Sequence, residues 1–234
     1  MGKIHNIMHL DNSVLSPEDN THVKKIECTS EKTRSIIGLP TVSDLNGNVL
    51  AKEENLVVLS GREFLAQKLA DLALDGNDLT SYQIRYFGIG TGGTEGTPPS
   101  TVGPFDTDID LTNKVKISVG GISDPANDYK YIDAGYLKRI NSDGSIVINQ
   151  EEHTINTNSG QEVVNKFTAI TFNILIQEEE PAEKPVKFNE ASLYAVKYVD
   201  GIPTDDKILF ARFTTLDKYL DLKDGISIEW NILV

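Results

Sequence analysis

Two stretches hold residue types that could do chemistry. Gly88-Ile89-Gly90-Thr91-Gly92-Gly93 follows an alternating run, and glycines placed after a strand can cradle a phosphate. A dinucleotide site then needs a helix that starts at the last glycine and points its N-terminus at the pyrophosphate. Thr94-Glu95-Gly96-Thr97-Pro98-Pro99 follows instead, where no helix can begin, and Gly-Lys-Ser/Thr is absent. The glycines are therefore expected to supply left-handed backbone and a tight reversal. Asp106, Asp108 and Asp110 form the second stretch, an Asp-x-Asp-x-Asp run of the oxygen-rich kind that calcium favours. An EF-hand loop needs Gly at its sixth position and Glu at its twelfth, and Leu111 and Ile117 stand there. On a strand, alternate aspartates share a face, and plain solvation explains them equally well.

The remaining reactive types do not assemble. His5 and His9 have zinc-helix spacing, but no Glu follows the first and no third ligand is near. Cys28 is the single cysteine, so neither an internal disulfide nor a cysteine-rich metal site is available. No Gly-x-Ser-x-Gly occurs. No catalytic, cofactor-binding or metal-binding residue is assigned, and the expectation is a protein that is not an enzyme.

Composition narrows the partners. Lys+Arg is 22 against Asp+Glu 35 in 234 residues, a formal net charge of -13. Such a surface repels phosphate backbones and anionic lipid, so no direct nucleic acid and no membrane partner is expected. No run approaches the roughly 20 apolar residues that span a bilayer. Met1-Gly2-Lys3-Ile4-His5 does not lead into a signal-peptide core, so synthesis in the cytoplasm without cleavage is expected.

The elements that must position these residues are mainly β. Residues 1–35 are polar and weakly patterned and read as an extended N-terminal arm; 36–234 read as a single β-rich domain. Asp44-Leu45-Asn46-Gly47-Asn48 signals a hairpin turn. One packed α-helix is expected at about residues 61–74, with Ser60 and Glu63 forming a capping box and Asp75-Gly76-Asn77 ending it. Phe64, Leu65, Leu69 and Leu72 would make its apolar face. Thr94 to Thr107 reads as irregular loop, and Leu111 to Val119 as a strand. A second hairpin is expected across Asn141-Ser142-Asp143-Gly144-Ser145, and the acidic 177–187 segment as a solvated connection. Phe167 to Ile176, Ala191 to Val199, Ile208 to Phe213 and Ile226 to Val234 alternate as strands, with a turn at Asp200-Gly201 and Trp230 in the core. The fold class is a β-sandwich-like antiparallel domain carrying one helix.

Two separated stretches carry a resemblance. The first runs from Gly61-Arg62-Glu63 to Ile84-Arg85-Tyr86-Phe87-Gly88-Ile89-Gly90-Thr91-Gly92 and on to Asp106-Thr107-Asp108-Ile109-Asp110-Leu111. The second holds Phe188-Asn189-Glu190-Ala191-Ser192-Leu193-Tyr194, Leu209-Phe210-Ala211-Arg212-Phe213 and Ile226-Ser227-Ile228-Glu229-Trp230-Asn231-Ile232. This order resembles virion structural proteins of tailed bacteriophages, of the neck, collar, tail or fibre-attachment type. Ser192 stands where that group usually has glycine. The resemblance implies a protein without chemistry of its own, located in the virion after synthesis in the host cytoplasm. It would bind other neck, tail, fibre or capsid subunits and copies of itself as a homo-oligomer, through the arm and the loops at 94–110 and 177–187. The alternatives are a capsid decoration, a host-receptor or carbohydrate-binding module of the tail, and a cation-dependent enzyme built on Asp106, Asp108 and Asp110.

Overall fold

A computed structural model describes residues 36–52, 55–73, 77–95, 100–118, 129–140, 145–156, 162–177, 180, 187–215, 220–221 and 225–233. The arm at 1–35 lies outside them, as do the Asp75-Gly76 stop and the 141–144 turn. In chain order the first elements are β1 (Ile37–Asp44), β2 (Val49–Lys52), β3 (Leu56–Val57), α1 (Leu59–Ala70) and β4 (Tyr82–Gly90). Short strands follow: β5 (Thr94–Glu95), β6 (Ser100–Thr101), β7 (Tyr131–Ile132) and β8 (Leu137–Arg139). Then come β9 (Ile146–Asn156), β10 (Glu162–Ile176), β11 (Lys187–Phe188), β12 (Glu190–Val199), β13 (Ile202–Thr214), β14 (Leu220–Asp221) and β15 (Ile226–Leu233).

The protein is mainly β, with two antiparallel sheets packed together. One has five strands in the order β2-β1-β15-β10-β9, the other six in the order β3-β13-β12-β4-β8-β7. Alternation decides what lies between them. Ile226, Ile228, Trp230 and Ile232 of β15 are buried, while Ser227, Glu229 and Asn231 between them are not. They meet Phe87, Ile89, Ala191, Leu193 and Phe213 of the other sheet in one core. Trp230 is fully buried, and the Phe213 ring stands edge-on to it at 5.1 Å and 72°.

The terminal strand is paired on both sides, with β1 and with β10. The Asn46-Gly47 and Asp200-Gly201 turns form as read, joining β1 to β2 and β12 to β13. Gly47 (φ 85°), Asp200 (φ 51°) and Gly201 (φ 80°) adopt the left-handed backbone that such reversals need.

The helix is real, but its ends and face differ from the sequence reading. It spans Leu59–Ala70, and Val58 occupies the N-cap with no side-chain cap bond. The Ser60 hydroxyl donates instead to the Leu209 carbonyl at 2.6 Å, so the capping box does not form. Asp71 ends the helix in the left-handed conformation, before the expected stop. Leu69 and Leu72 are 88 % and 68 % exposed; the helix buries Gly61, Phe64 and Gln67. Phe64 packs edge-on against Phe210, which a bulge in β13 leaves without an opposite residue on β12. A Cβ on Gly61 would stand 2.2 Å from the Phe210 carbonyl oxygen, so the helix lies directly on strand backbone.

Three further expectations fail. Residues 111–118 are not a strand: they cross as an irregular strap tied by one bridge, Gly90 to Lys114, and by Val115 N–H donating to Ile89 O. Residues 137–139 and 146–148 do not make a hairpin, because β8 pairs with β4 and β7 while β9 pairs with β10 in the other sheet. Within 94–107, β5 and β6 form a small two-stranded sheet. Among the described residues no helix is long and apolar enough to cross a membrane.

Candidate functional site

The glycine run, the aspartate run and the Asn189-Glu190 and Arg212 segments meet on the face of the six-stranded sheet turned away from the inter-sheet core. β4 and β12 set Gly90 opposite Glu190 and Gly88 opposite Ser192, and β12 and β13 set Ser192 opposite Arg212. Because side chains alternate, Leu193 and Ala195 enter the inter-sheet core while Tyr194 and Val196 join a second apolar cluster with Tyr86, Leu111 and Leu137. Glu190 and Arg212 share that second face.

Glu190 is completely buried, and Arg212 is 2 % exposed. Arg212 donates from Nε at 2.9 Å and from Nη2 at 2.5 Å to Glu190 Oε2. Its Nη1 donates to Asp108 Oδ2 at 2.7 Å, and Nη2 reaches Thr112 Oγ1 at 3.3 Å. Glu190 Oε1 accepts from the backbone N–H of Gly92 at 2.8 Å and of Asn113 at 3.2 Å. Asn189 Oδ1 accepts from Gly93 N–H at 2.9 Å. One carboxylate thus ties a glycine turn, the strap and a strand arginine together. Burial opposes the charge on Arg212, but its bonds to Asp108 and Glu190 outweigh this and raise its pKa.

This explains the glycines differently from the sequence. None of Gly88, Gly90, Gly92 or Gly93 is left-handed; they are glycines because a Cβ has no room. At Gly90 it would stand 2.3 Å from Glu190 Oε1 and 2.6 Å from the Asn113 carbonyl oxygen. At Gly92 it would stand 2.3 Å from Thr112 Cβ.

The three aspartates do not converge. Asp106 pairs with Arg62 at 3.1 Å, half exposed. Asp108 goes to Arg212. Asp110 accepts from the Tyr194 hydroxyl at 2.5 Å and from Lys114 Nζ at 2.9 Å. Lys114 donates onward to Asp133 at 2.6 Å, and Lys207 reaches the same carboxylate at 3.3 Å. Burial opposes the charges here too, yet the cations hold Asp133 below its ordinary value and the carboxylates raise Lys114. Burial, with Asp110 adding to it, pushes the Tyr194 hydroxyl pKa well up. Each carboxylate of the run therefore already has a protein cation as its partner. Among the described residues no group of three His, Cys, Asp or Glu side chains is placed to hold a metal ion.

A second buried ion cluster joins the two sheets. Glu180, expected in a solvated loop, is 6 % exposed. It accepts from Lys138 Nζ at 2.5 Å, from the Tyr131 hydroxyl at 2.6 Å and from Gln177 N–H at 2.8 Å. Lys138, on β8, also donates to the Leu175 carbonyl of β10 at 2.5 Å, bridging six-stranded and five-stranded sheets. Burial works against the Glu180 charge, but Lys138 and Tyr131 win and hold its pKa below the ordinary value.

Sequence reasoning did not foresee the pairing of Glu190 with Arg212. A signal existed: each is a lone charge inside an apolar strand run, and the two charges are opposite. Buried charges are almost always paired.

In architecture, the site is a buried ionic clasp on the outer face of a β-sandwich, and its groups are bound to one another. Compared with known proteins, the chain matches no family model, no curated protein and no solved structure.

Proposed function

We propose that this protein is a non-enzymatic structural component of a tailed-bacteriophage virion, assembling by protein–protein contacts at the neck, collar or tail as a ring or fibre-attachment protein. One observation carries the reading. The Gly-x-Gly-Thr strand end, the Asn189-Glu190 segment and the Ala211-Arg212-Phe213 segment, which are the residues of the resemblance, close on one another through Glu190. Motifs that serve each other structurally suit a protein that binds by shape. Phe105 and Ile109, 59 % and 85 % exposed, flank the aspartates that turn to protein cations, so this loop offers apolar groups outward. The partners are other virion proteins and further copies of the chain. A net charge of -13 disfavours direct nucleic acid or lipid contact.

The test is immuno-electron microscopy of purified particles, with antibodies raised against the recombinant protein. Label at the neck or tail is the expected result, and label over the head would make the protein a capsid decoration. Particles purified free of the protein would overturn the reading. Binding on a glycan array would replace it with the receptor-binding alternative.

A further inference from the structure

The outer face of the five-stranded sheet carries a groove of about 420 Å³ where β1 turns into β2. Alternation builds it. Val42, Ile174 and Ile228 face the core, so their neighbours Thr41, Ser43, Leu175, Ser227 and Glu229 face outward. Strand pairing sets these in two rows, Ser43 to Ser227 to Leu175 and Thr41 to Glu229 to Asn173. Leu175 closes the serine row on β10, and Leu45 stands in the turn that follows β1 and borders the groove. Both leucines are exposed.

The polar groups of the groove are short of partners. Among the described residues the hydroxyls of Thr41, Ser43 and Ser227 make no hydrogen bond to protein. The Glu229 carboxylate has one side-chain partner, Asn231 Nδ2, which donates to Oε1 at 3.0 Å. Asp44 accepts from the backbone N–H of Asn46 at 2.9 Å, from that of Asn48 at 2.8 Å and from Asn48 Nδ2 at 2.7 Å, all neutral donors. These bonds, Asn48 foremost, hold its carboxyl below the usual carboxylate range, so it is charged at neutral pH. Neither carboxylate pairs with a cation among the described residues, and Lys52, opposite Thr41 on β2, reaches neither. In the clasp, by contrast, Glu190 and Asp108 share a protein cation.

A ligand that suits such a groove has an aliphatic body, a positive end and donors for several oxygens. A lysine side chain has all of these, because its ammonium donates in several directions at once. We propose that the groove holds the side chain of a lysine from a basic segment of a partner protein. The aliphatic stem lies against Leu45 and Leu175, and the ammonium donates to the Glu229 carboxylate and to the Thr41 and Ser227 hydroxyl oxygens. An arginine fork suits the groove less, because it takes both oxygens of a carboxylate and Asn231 already holds one of those on Glu229. The chain's net charge of -13 draws a basic segment in from solution, and the groove gives it one place to dock. The inference stands on the groove and its chemistry and does not rest on the virion reading.

The test uses the full chain and a fluorescein-labelled oligolysine peptide, followed by fluorescence anisotropy at roughly 0.15 M salt, where distant surface charges are screened. Saturable binding at a single site per chain is expected. Glu229→Gln keeps the shape of the groove and removes its charge, and it should weaken binding about tenfold or more. Leu175→Ser, which takes away a contact for the stem, should weaken it several-fold. Asp205→Asn removes the same charge from an exposed carboxylate outside the groove and should leave the affinity within about twofold. The peptide with its lysines acetylated keeps the stem, loses the charge and is expected not to bind. Thermal melts check that each variant keeps its fold. A wild type that shows no saturable binding would overturn the inference. So would equal losses in Glu229→Gln and Asp205→Asn, the sign of general attraction to an acidic surface, or an acetylated peptide that binds as tightly as the charged one.

Discussion

Arg212 and Phe213 are neighbours on β13 and face opposite ways. Phe213 enters the inter-sheet core and meets Trp230; Arg212 enters the clasp and meets Glu190 and Asp108. Both are almost fully buried, so truncation of either is severe. The apolar side is held by area and shape, which many side chains supply. The ionic side is held by donor positions, which only one does. Phe213→Ala is expected to cost ~3–5 kcal/mol through the cavity it leaves. Arg212→Ala is expected to cost a similar ~3–5 kcal/mol, because Glu190 is left buried without its cation. Conservative changes separate the two. Phe213→Met should cost less than ~1.5 kcal/mol, whereas Arg212→Lys should keep most of the alanine penalty, since an ammonium cannot hold Glu190 and Asp108 together. Urea midpoints of the four variants measure this, and equal losses for Met and Lys would break the comparison.

The glycines sharpen it next. A methyl group at Gly90 has nowhere to go between Glu190 and the Asn113 carbonyl, so Gly90→Ala should cost ~1–3 kcal/mol as overpacking. Gly103 has open space around it, and Gly103→Ala should stay within about 0.5 kcal/mol of the wild type. If both were neutral, the clasp would be more yielding than its contacts indicate.

The two halves of this comparison were not equally legible in the sequence. Alternation along Ile226 to Leu233 gives the core face directly, because burial on one side of a strand writes itself as period two. Asn46-Gly47 and Asp200-Gly201 announce their turns, because few residues tolerate that backbone. Helix α1 was visible and its boundaries were not. Tertiary contact with Leu209 recruits Ser60 away from capping, and Asp71 turns left-handed before the glycine is reached. The strap misled: Val115, Ile117 and Val119 alternate in sequence as a strand would, but among the described residues a single isolated bridge, Gly90 to Lys114, joins it to the glycine end of β4. The clasp was least legible, because its glycines serve packing, and packing depends on residues some 100 positions away in sequence.

Acid is the next way to separate ionic stitching from apolar packing. Glu180 has its folded pKa held below the unfolded value by Lys138 and Tyr131 against the opposing effect of burial. Its contribution is therefore complete above the ordinary glutamate pKa and is lost as pH falls through the lower folded value. Asp133, held down by Lys114 and Lys207, follows the same sign. Glu180→Gln should be less stable than wild type at pH 7, and the gap should narrow as pH falls from about 5 to about 3. Thermal melts across that range measure it. Phe213→Met, which changes no titrating group, should hold a constant gap, and a gap that narrowed equally in both variants would remove the distinction.

The smallest effect comes from the aspartate run, where three similar residues have three different fates. Asp108 bonds a buried arginine, Asp110 a tyrosine hydroxyl and a lysine, and Asp106 only the half-exposed Arg62. Water already solvates most of the Asp106–Arg62 pair, so removing it exchanges one hydrated state for another. Asp106→Asn is expected to cost no more than ~1 kcal/mol, and that cost should fade in high salt. Asp108→Asn, which takes charge away from a guanidinium that is 2 % exposed, should cost more and respond less to salt. A calcium titration sharpens the same point, because a divalent ion at the run would have to displace three protein cations held in separate places. If calcium raised the melting temperature of the wild type and not of Asp106→Asn, the run would be a cation site after all, and the outermost aspartate would matter most.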